Sequence, residues 1–150
     1  MKDAAGFLSK ALATVFYLGF IPIAPGTFGT LAAMILIWTV RPSPAWQLVI
    51  LLVSLLVGIK VSGIAEMAFG EKDCRHIVVD EFVGYLCSII FLPLTPSYMV
   101  AAFLLFRVFD IIKPSPIRLI EQIGGGAGIM LDDVVAGLIA NVLLQVVHVI

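Results

Sequence analysis

The sequence predicts an all-α fold, an integral membrane bundle of short and proline-broken helices that forms a single domain over residues 1–150. Hydrophobic residues make up 61% of the chain and the mean hydropathy is +1.15, whereas soluble domains contain roughly 45–50% apolar residues. Charged residues account for only 13%. A soluble chain of this length could not hide so much apolar surface, because small domains leave a large share of their surface exposed. Composition therefore favours a membrane protein.

Proline and glycine divide the uncharged stretch 11–40 into two apolar segments. We expect helices over 11–21 and 28–40, because the prolines between them interrupt a continuous helix. Each segment is shorter than the roughly 20 residues that cross a bilayer. Thr27 is placed to cap the second helix, whose first N–H groups could then bind an anion. An ordinary turn between two helices explains the same residues equally well.

The middle of the chain alternates apolar and charged segments. Segment 45–59 is the strongest candidate for a lipid-facing helix. The charged segment 61–75 is expected to be the end of that helix and a loop outside the hydrocarbon, with most of its charges solvated. Another apolar helix is predicted over 98–112. A short amphipathic segment, 117–123, precedes Gly124–Gly128, which predicts either a mobile hinge or a tight backbone approach.

Two apolar helices are predicted to begin beside a pair of acidic residues. Asp80 and Glu81 open one, and Asp132 with Asp133 precedes the last helix, 134–150. A favourable interaction with the helix dipole is worth only about 0.3–1 kcal/mol per charge. That is little reason to place two anions beside a membrane, so a bound cation explains the pairs better.

Small residues near these acids indicate close packing between helices. Gly84 lies three residues after Glu81 and shares its helical face, and Ala136 with Gly137 forms a small-residue face in the last helix. Such residues allow two helix backbones to approach closely. We therefore expect the acid-bearing helix starts to converge at one face of the membrane.

Charge is concentrated in the stretch 106–137, which holds about a third of the charged residues of the chain. A charge in or near a membrane costs several kcal/mol unless it is paired or bound to an ion, so a functional site is the default hypothesis there. Arg107, Asp110 and Lys113 are spaced three residues apart and share one helical ridge.

The candidate site is rich in carboxylates, which are Asp80, Glu81, Asp110, Asp132 and Asp133. Like charges repel strongly in a low-dielectric site, so these acids need a cation between them. An oxygen-only ligand set selects a hard ion such as Mg²⁺, with Mn²⁺ or Ca²⁺ as alternatives. Arg107 and Lys113 beside such an ion suit the hydrolysis of a phosphate ester. The net charge of −1, without a Lys/Arg run, argues against a nucleic-acid partner.

Four separated motifs make the chain resemble the phosphatidylglycerophosphatase A family of bacteria. They cover nearly the whole chain in the family's order, and they are PIAPGTFGT (Pro22–Thr30), DCRHIVVDEFVG (Asp73–Gly84), FRVFDIIKPSPI (Phe106–Ile117) and GGGAGIMLDDVVAG (Gly124–Gly137). The resemblance implies a Mg²⁺-dependent phosphoric monoester hydrolase. Its reaction would convert phosphatidylglycerophosphate into phosphatidylglycerol and phosphate.

The resemblance also implies roles for single residues. The implied metal ligands are Asp80, Glu81, Asp110, Asp132 and Asp133. The implied catalytic residues are Asp80, Glu81, Asp133 and Lys113, with attack by a metal-activated water or through a phospho-aspartate as alternatives. The implied substrate-binding residues are Arg107 and Lys113, helped by Thr27 and Gly26.

The expected setting is the inner membrane of a bacterial cell, crossed several times by the chain. Five basic residues flank the expected site, which by the positive-inside tendency then faces the cytoplasm; they are Lys60, Lys72, Arg75, Lys113 and Arg118. The bilayer and the lipid substrate are the expected partners, and the sequence gives no oligomeric state. The alternative function is a small divalent-cation transporter or channel, which would carry its acids near segment centres rather than at segment ends.

Overall fold

The structure, a computed structural model, describes residues 2–72, 74–121 and 123–150. Within these ranges the chain forms seven α-helices, a short 3-10 turn at Leu18–Phe20 and no β-strand, which confirms the all-α prediction. The helices are α1 (Lys2–Ala13), α2 (Pro25–Val40), α3 (Pro44–Phe69), α4 (Val79–Ile89), α5 (Pro96–Ile112), α6 (Ser115–Glu121) and α7 (Gly125–Val149).

Proline starts helices in this fold more than it breaks them. Pro25, Pro44 and Pro96 are the first residues of α2, α3 and α5. The first helical position suits proline because its φ is already helical and the missing N–H would have no partner within the helix. The chain therefore turns just before each of these prolines.

The structure corrects two predictions in the N-terminal third. The expected helix over 11–21 is wrong, since α1 ends at Ala13 and Val15, Phe16 and Tyr17 follow with positive φ. Thr27 is not a helix cap, because α2 begins earlier, at Pro25, behind Ala24. The Thr27 N–H donates to the Ala24 carbonyl inside the first turn.

The two longest helices also begin or end outside their predicted limits. α3 continues to Phe69, so most of 61–75 is helix rather than loop; Asp73 lies outside the described residues. α7 begins at Gly125 rather than at 134. A Cβ on Gly126 would overlap the Ile59 carbonyl of α3, so the glycine run allows a tight approach of α7 to α3. The mobile-hinge alternative does not describe this segment.

Helix α4 lies at the centre of the bundle and packs against α2, α3, α5 and α7. Its residues from Val83 to Ile89 are all buried, and Tyr85, which shares the core with Phe106, donates its hydroxyl hydrogen to the Met99 carbonyl. Around it, α3 and α7 are long and apolar enough to cross a membrane, judged by length and composition. Large apolar side chains on their outer faces are exposed, including Leu56 and Val146.

Two amide side chains of α7, the buried Asn141 and the half-buried Gln145, hold the C-terminal end of α4. The Asn141 amide of α7 donates to the Ser88 carbonyl at 3.1 Å and to the Ile90 carbonyl at 2.9 Å, and Gln145 donates to Ile90 at 3.3 Å. The last carbonyls of a helix have no partner within it. Asn141 supplies a partner for the Ser88 and Ile90 carbonyls and so ties the end of α4 to α7.

We expect Asn141→Leu to lower the free energy of unfolding by about 2 kcal/mol, because a buried carbonyl left without a donor costs about 1–3 kcal/mol. The matched variant Gln145→Leu should cost less than about 1 kcal/mol, since the Ile90 carbonyl keeps its bond to Asn141. Chemical unfolding in detergent micelles measures both. Equal losses in the two variants would show that Asn141 is not the main support of this helix end.

Candidate active site

Two helices bring three carboxylates together. Asp80 and Glu81 lie in the first turn of α4, and Asp133 lies in the third turn of α7. One oxygen from each lies within 4.8 Å of the others. The approach depends on small residues where the helices cross, since a Cβ on Gly137 would overlap the Gly84 carbonyl. The predicted small-residue contact is therefore present, and it sets the distance between the acids.

Oxygens of this carboxylate trio are buried without hydrogen-bond partners among the described residues. They are Asp80 Oδ1, Glu81 Oε2 and Asp133 Oδ2. Burial raises the pKa of Asp80 well above its ordinary value, and the neighbouring Glu81 charge raises it further. Three carboxyl groups this close together, each with a buried oxygen that has no hydrogen-bond donor, are unfavourable. A hard divalent cation, which binds oxygens at about 2.0–2.6 Å, fits this donor set and its spacing.

Arg107 of α5 faces the trio. Its Nη1 donates to Asp110 Oδ2 at 2.6 Å and lies 3.7 Å from Glu81 Oε1. A Cβ on Gly26 would overlap Glu81 Oε1 and lie 3.2 Å from Arg107 Nη1. The start of α2 therefore borders the site at Gly26. Thr27 follows in the same turn, but its side chain forms no hydrogen bond with the trio.

The remaining predicted residues, Lys113 and Asp132, form an ion pair next to the trio. Lys113 ends α5 with φ 45°, and its Nζ donates to Asp132 Oδ2 at 2.7 Å. The other oxygen of Asp132 accepts the Asp133 N–H at 3.0 Å. The seven charged candidates thus form the trio and two ion pairs, Arg107–Asp110 and Lys113–Asp132. The first pair contacts the trio, through Arg107 at Glu81 and through Asp110 at Asp133.

Residues 11–148 match the phosphatidylglycerophosphatase A family. The chain belongs to that family. It is 39% identical over 142 residues to the phosphatidylglycerophosphatase A of Escherichia coli, covering 91% of this chain and 82% of that protein. The same enzyme of Haemophilus influenzae is 38% identical over 137 residues, 89% of this chain and 84% of the relative.

A third relative bears a different substrate in its name. A protein of Bacteroides thetaiotaomicron, provisionally named phosphatidylinositol-3-phosphatase, is 39% identical over 149 residues, covering 93% of each chain. No solved structure gives a significant match. All three names describe phosphatases whose substrate is a lipid carrying a phosphomonoester.

A cavity of about 720 Å³ opens beside Asp132 in this family member. Five charged residues line it, namely Glu66, Lys72, Lys113, Arg118 and Asp132. From the sequence, Glu66 and Lys72 were expected to be solvated, and Lys72 and Arg118 entered only the prediction of membrane orientation. Glu66 and Lys72 come from the end of α3 and the turn after it, far along the chain from Arg118. No spacing in the sequence signals that these three meet.

Proposed function

We propose that this chain hydrolyses phosphatidylglycerophosphate to phosphatidylglycerol and phosphate, with Mg²⁺ as cofactor. The observation that carries the proposal is the trio of Asp80, Glu81 and Asp133, with its buried, unpartnered oxygens beside a paired arginine. Membership of the phosphatidylglycerophosphatase A family supports the substrate. The oxygen-only donor set supports Mg²⁺.

In this proposal the trio holds the cation, which when bound polarises a phosphoryl oxygen and lowers the pKa of a water molecule. Arg107 binds the other phosphoryl oxygens through N–H groups not used by Asp110. Asp110 fixes the guanidinium in place through its 2.6 Å bond, so little reorganisation is needed as charge develops. A trio carboxylate oxygen accepts the proton of the attacking water.

Lys113 has a supporting place in this scheme. Its ammonium, held 2.7 Å from Asp132 Oδ2, adds positive charge at the cavity wall next to the trio. Asp132 in turn fixes that ammonium and accepts the backbone N–H of Asp133. We propose that the pair positions Asp133 and attracts the anionic headgroup, while Gly26 leaves room for Glu81 and Arg107.

We further propose that α3 and α7 cross the membrane and that the site faces the cytoplasm of a bacterial cell. Glu66 near the end of α3 and Asp132 in the second turn of α7 line the same cavity, so the site lies towards one end of both helices. Lys72, Lys113 and Arg118 lie at this end, and a positively charged end faces the cytoplasm by the positive-inside tendency.

The cation-transport alternative has no support from the structure or the relatives. Asp133 lies in the third turn of α7 rather than at its start, so the argument from acids at segment ends does not by itself separate the two functions. Family membership separates them, since the three relatives bear phosphatase names.

We expect purified protein in detergent to release phosphate from phosphatidylglycerophosphate with Mg²⁺, to lose this activity in EDTA and to regain it when Mg²⁺ is restored. The metal is expected to be essential because the trio's negative charge otherwise repels the substrate phosphate. Phosphatidylinositol 3-phosphate serves as the second substrate. Release that persists in EDTA would remove the metal from the proposal, and turnover of only the inositol lipid would replace the substrate.

A further inference from the structure

The cavity beside Asp132 is lined by three basic residues, Lys72, Lys113 and Arg118, and by two acidic ones, Glu66 and Asp132, so its charged lining is net positive. Lys72 and Arg118 are exposed, and no carboxylate among the described residues forms an ion pair with either. Lys113, at the same wall, is paired with Asp132. Cations that share a concave site attract an anion, because the walls focus their field. The volume of about 720 Å³ is within the range of small-molecule sites.

The cavity and the trio meet at one turn of α7. Asp132 lines the cavity, and its neighbour Asp133 belongs to the trio. Consecutive side chains of a helix do not face each other. Asp132 therefore lies at the cavity, while Asp133 lies at a separate space between the trio carboxylates. A headgroup with two phosphates can therefore place one phosphate on each side of this turn.

The cavity also has an apolar edge. Ile111 and Ile112 of α5 line it and are 71% and 60% exposed. Exposed isoleucines beside basic side chains are typical of a surface where the lipid headgroup meets the acyl region. The phosphate nearest to the acyl chains is the phosphodiester, so the cavity suits that group and the trio suits the terminal phosphomonoester.

Resting on the proposed function, we propose that Lys72 and Arg118 bind the phosphodiester of the substrate and so determine its specificity. The enzyme then selects lipids whose phosphomonoester is separated from a phosphodiester by a polyol. Phosphatidic acid, which has a single phosphate attached directly to diacylglycerol, fills only one of the two spaces. Lys72 and Arg118 take no part in the bond-breaking step.

The test compares Lys72→Ala and Arg118→Ala with the matched variant Lys60→Ala, which removes an exposed lysine of α3 that does not line the cavity. We expect each cavity variant to raise KM for phosphatidylglycerophosphate about tenfold, the effect of losing one charge-assisted hydrogen bond, with kcat within about twofold. Hydrolysis of phosphatidic acid should not change in any variant. Equal losses on both lipids, or a fall in kcat alone, would overturn the proposal.

Product inhibition gives a second readout that does not require turnover of phosphatidic acid. Phosphatidylglycerol carries the phosphodiester but no phosphomonoester, so it should inhibit the wild type competitively in neutral detergent micelles and inhibit the cavity variants about tenfold more weakly. Inhibition that is absent, or equal in all variants, would also overturn the proposal. A wild type that releases no phosphate from phosphatidylglycerophosphate would instead contradict the function itself.

Discussion

Asp133→Asn is expected to lower kcat for phosphate release by about a thousandfold. Removing one preorganised electrostatic group from an active site costs roughly 10²–10³ in rate, and this variant also weakens binding of the cation. Asp133 is the only trio member contributed by α7. Asparagine keeps the shape of the side chain and removes the charge. Initial rates at saturating Mg²⁺ measure the effect.

The same variant should not unfold the protein. In EDTA its thermal transition should lie at or above that of the wild type, because a buried carboxylate that faces two others is replaced by a neutral group. Mg²⁺ should stabilise the wild type, as any ligand of the folded state does, and the variant less. Glu71→Gln, which removes an exposed acid outside the trio, is the charge-matched control and should behave as wild type. Full activity in Asp133→Asn would contradict the site.

Local residue chemistry named both acidic pairs as site residues, and it predicted the helix start correctly at the first pair but not at the second. Asp80 and Glu81 open α4 as expected, because an acidic pair ahead of an apolar run signals a helix start. Asp132 and Asp133 carry the same signal but lie well inside α7. Glycine usually weakens a helix, and in Gly124–Gly128 that propensity is outweighed by tight packing on α3.

The sequence predicted only in part which charged residues of the site lie next to one another. Arg107 and Asp110 lie on one helical ridge as their spacing predicted, and they form an ion pair. Lys113 was predicted on the same ridge but lies beyond the end of α5 and pairs with Asp132. The division of the carboxylates into a trio and two ion pairs depends on how α4, α5 and α7 cross. The cavity depends on the end of α3 as well, which brings Glu66 towards Arg118. Such contacts are set by tertiary packing, which leaves no periodic pattern in the sequence.

The crossing of α4 and α7 gives the second large effect. A Cβ on Gly137 would overlap the Gly84 carbonyl and lie 2.8 Å from Cys87 Cβ. A backbone carbonyl within a helix cannot move aside alone, so Gly137→Ala must push the two helices apart. We expect a loss of about 1–3 kcal/mol in the free energy of unfolding, as for other overpacked cores.

Activity should fall further than stability accounts for. Asp133 lies one helical turn before Gly137, so a shift of α7 moves it away from Asp80 and Glu81, and a misplacement of about 1 Å can cost a hundredfold in rate. Gly63→Ala is the matched control, because the nearest atom to its Cβ, the Gly126 nitrogen, is 3.5 Å away. That variant should keep its activity and unfold no earlier than the wild type. If Gly137→Ala kept the wild-type kcat in its folded fraction, the distance between the trio carboxylates would not depend on the crossing of α4 and α7. The three acids would then tolerate a wider spacing than coordination of the cation requires.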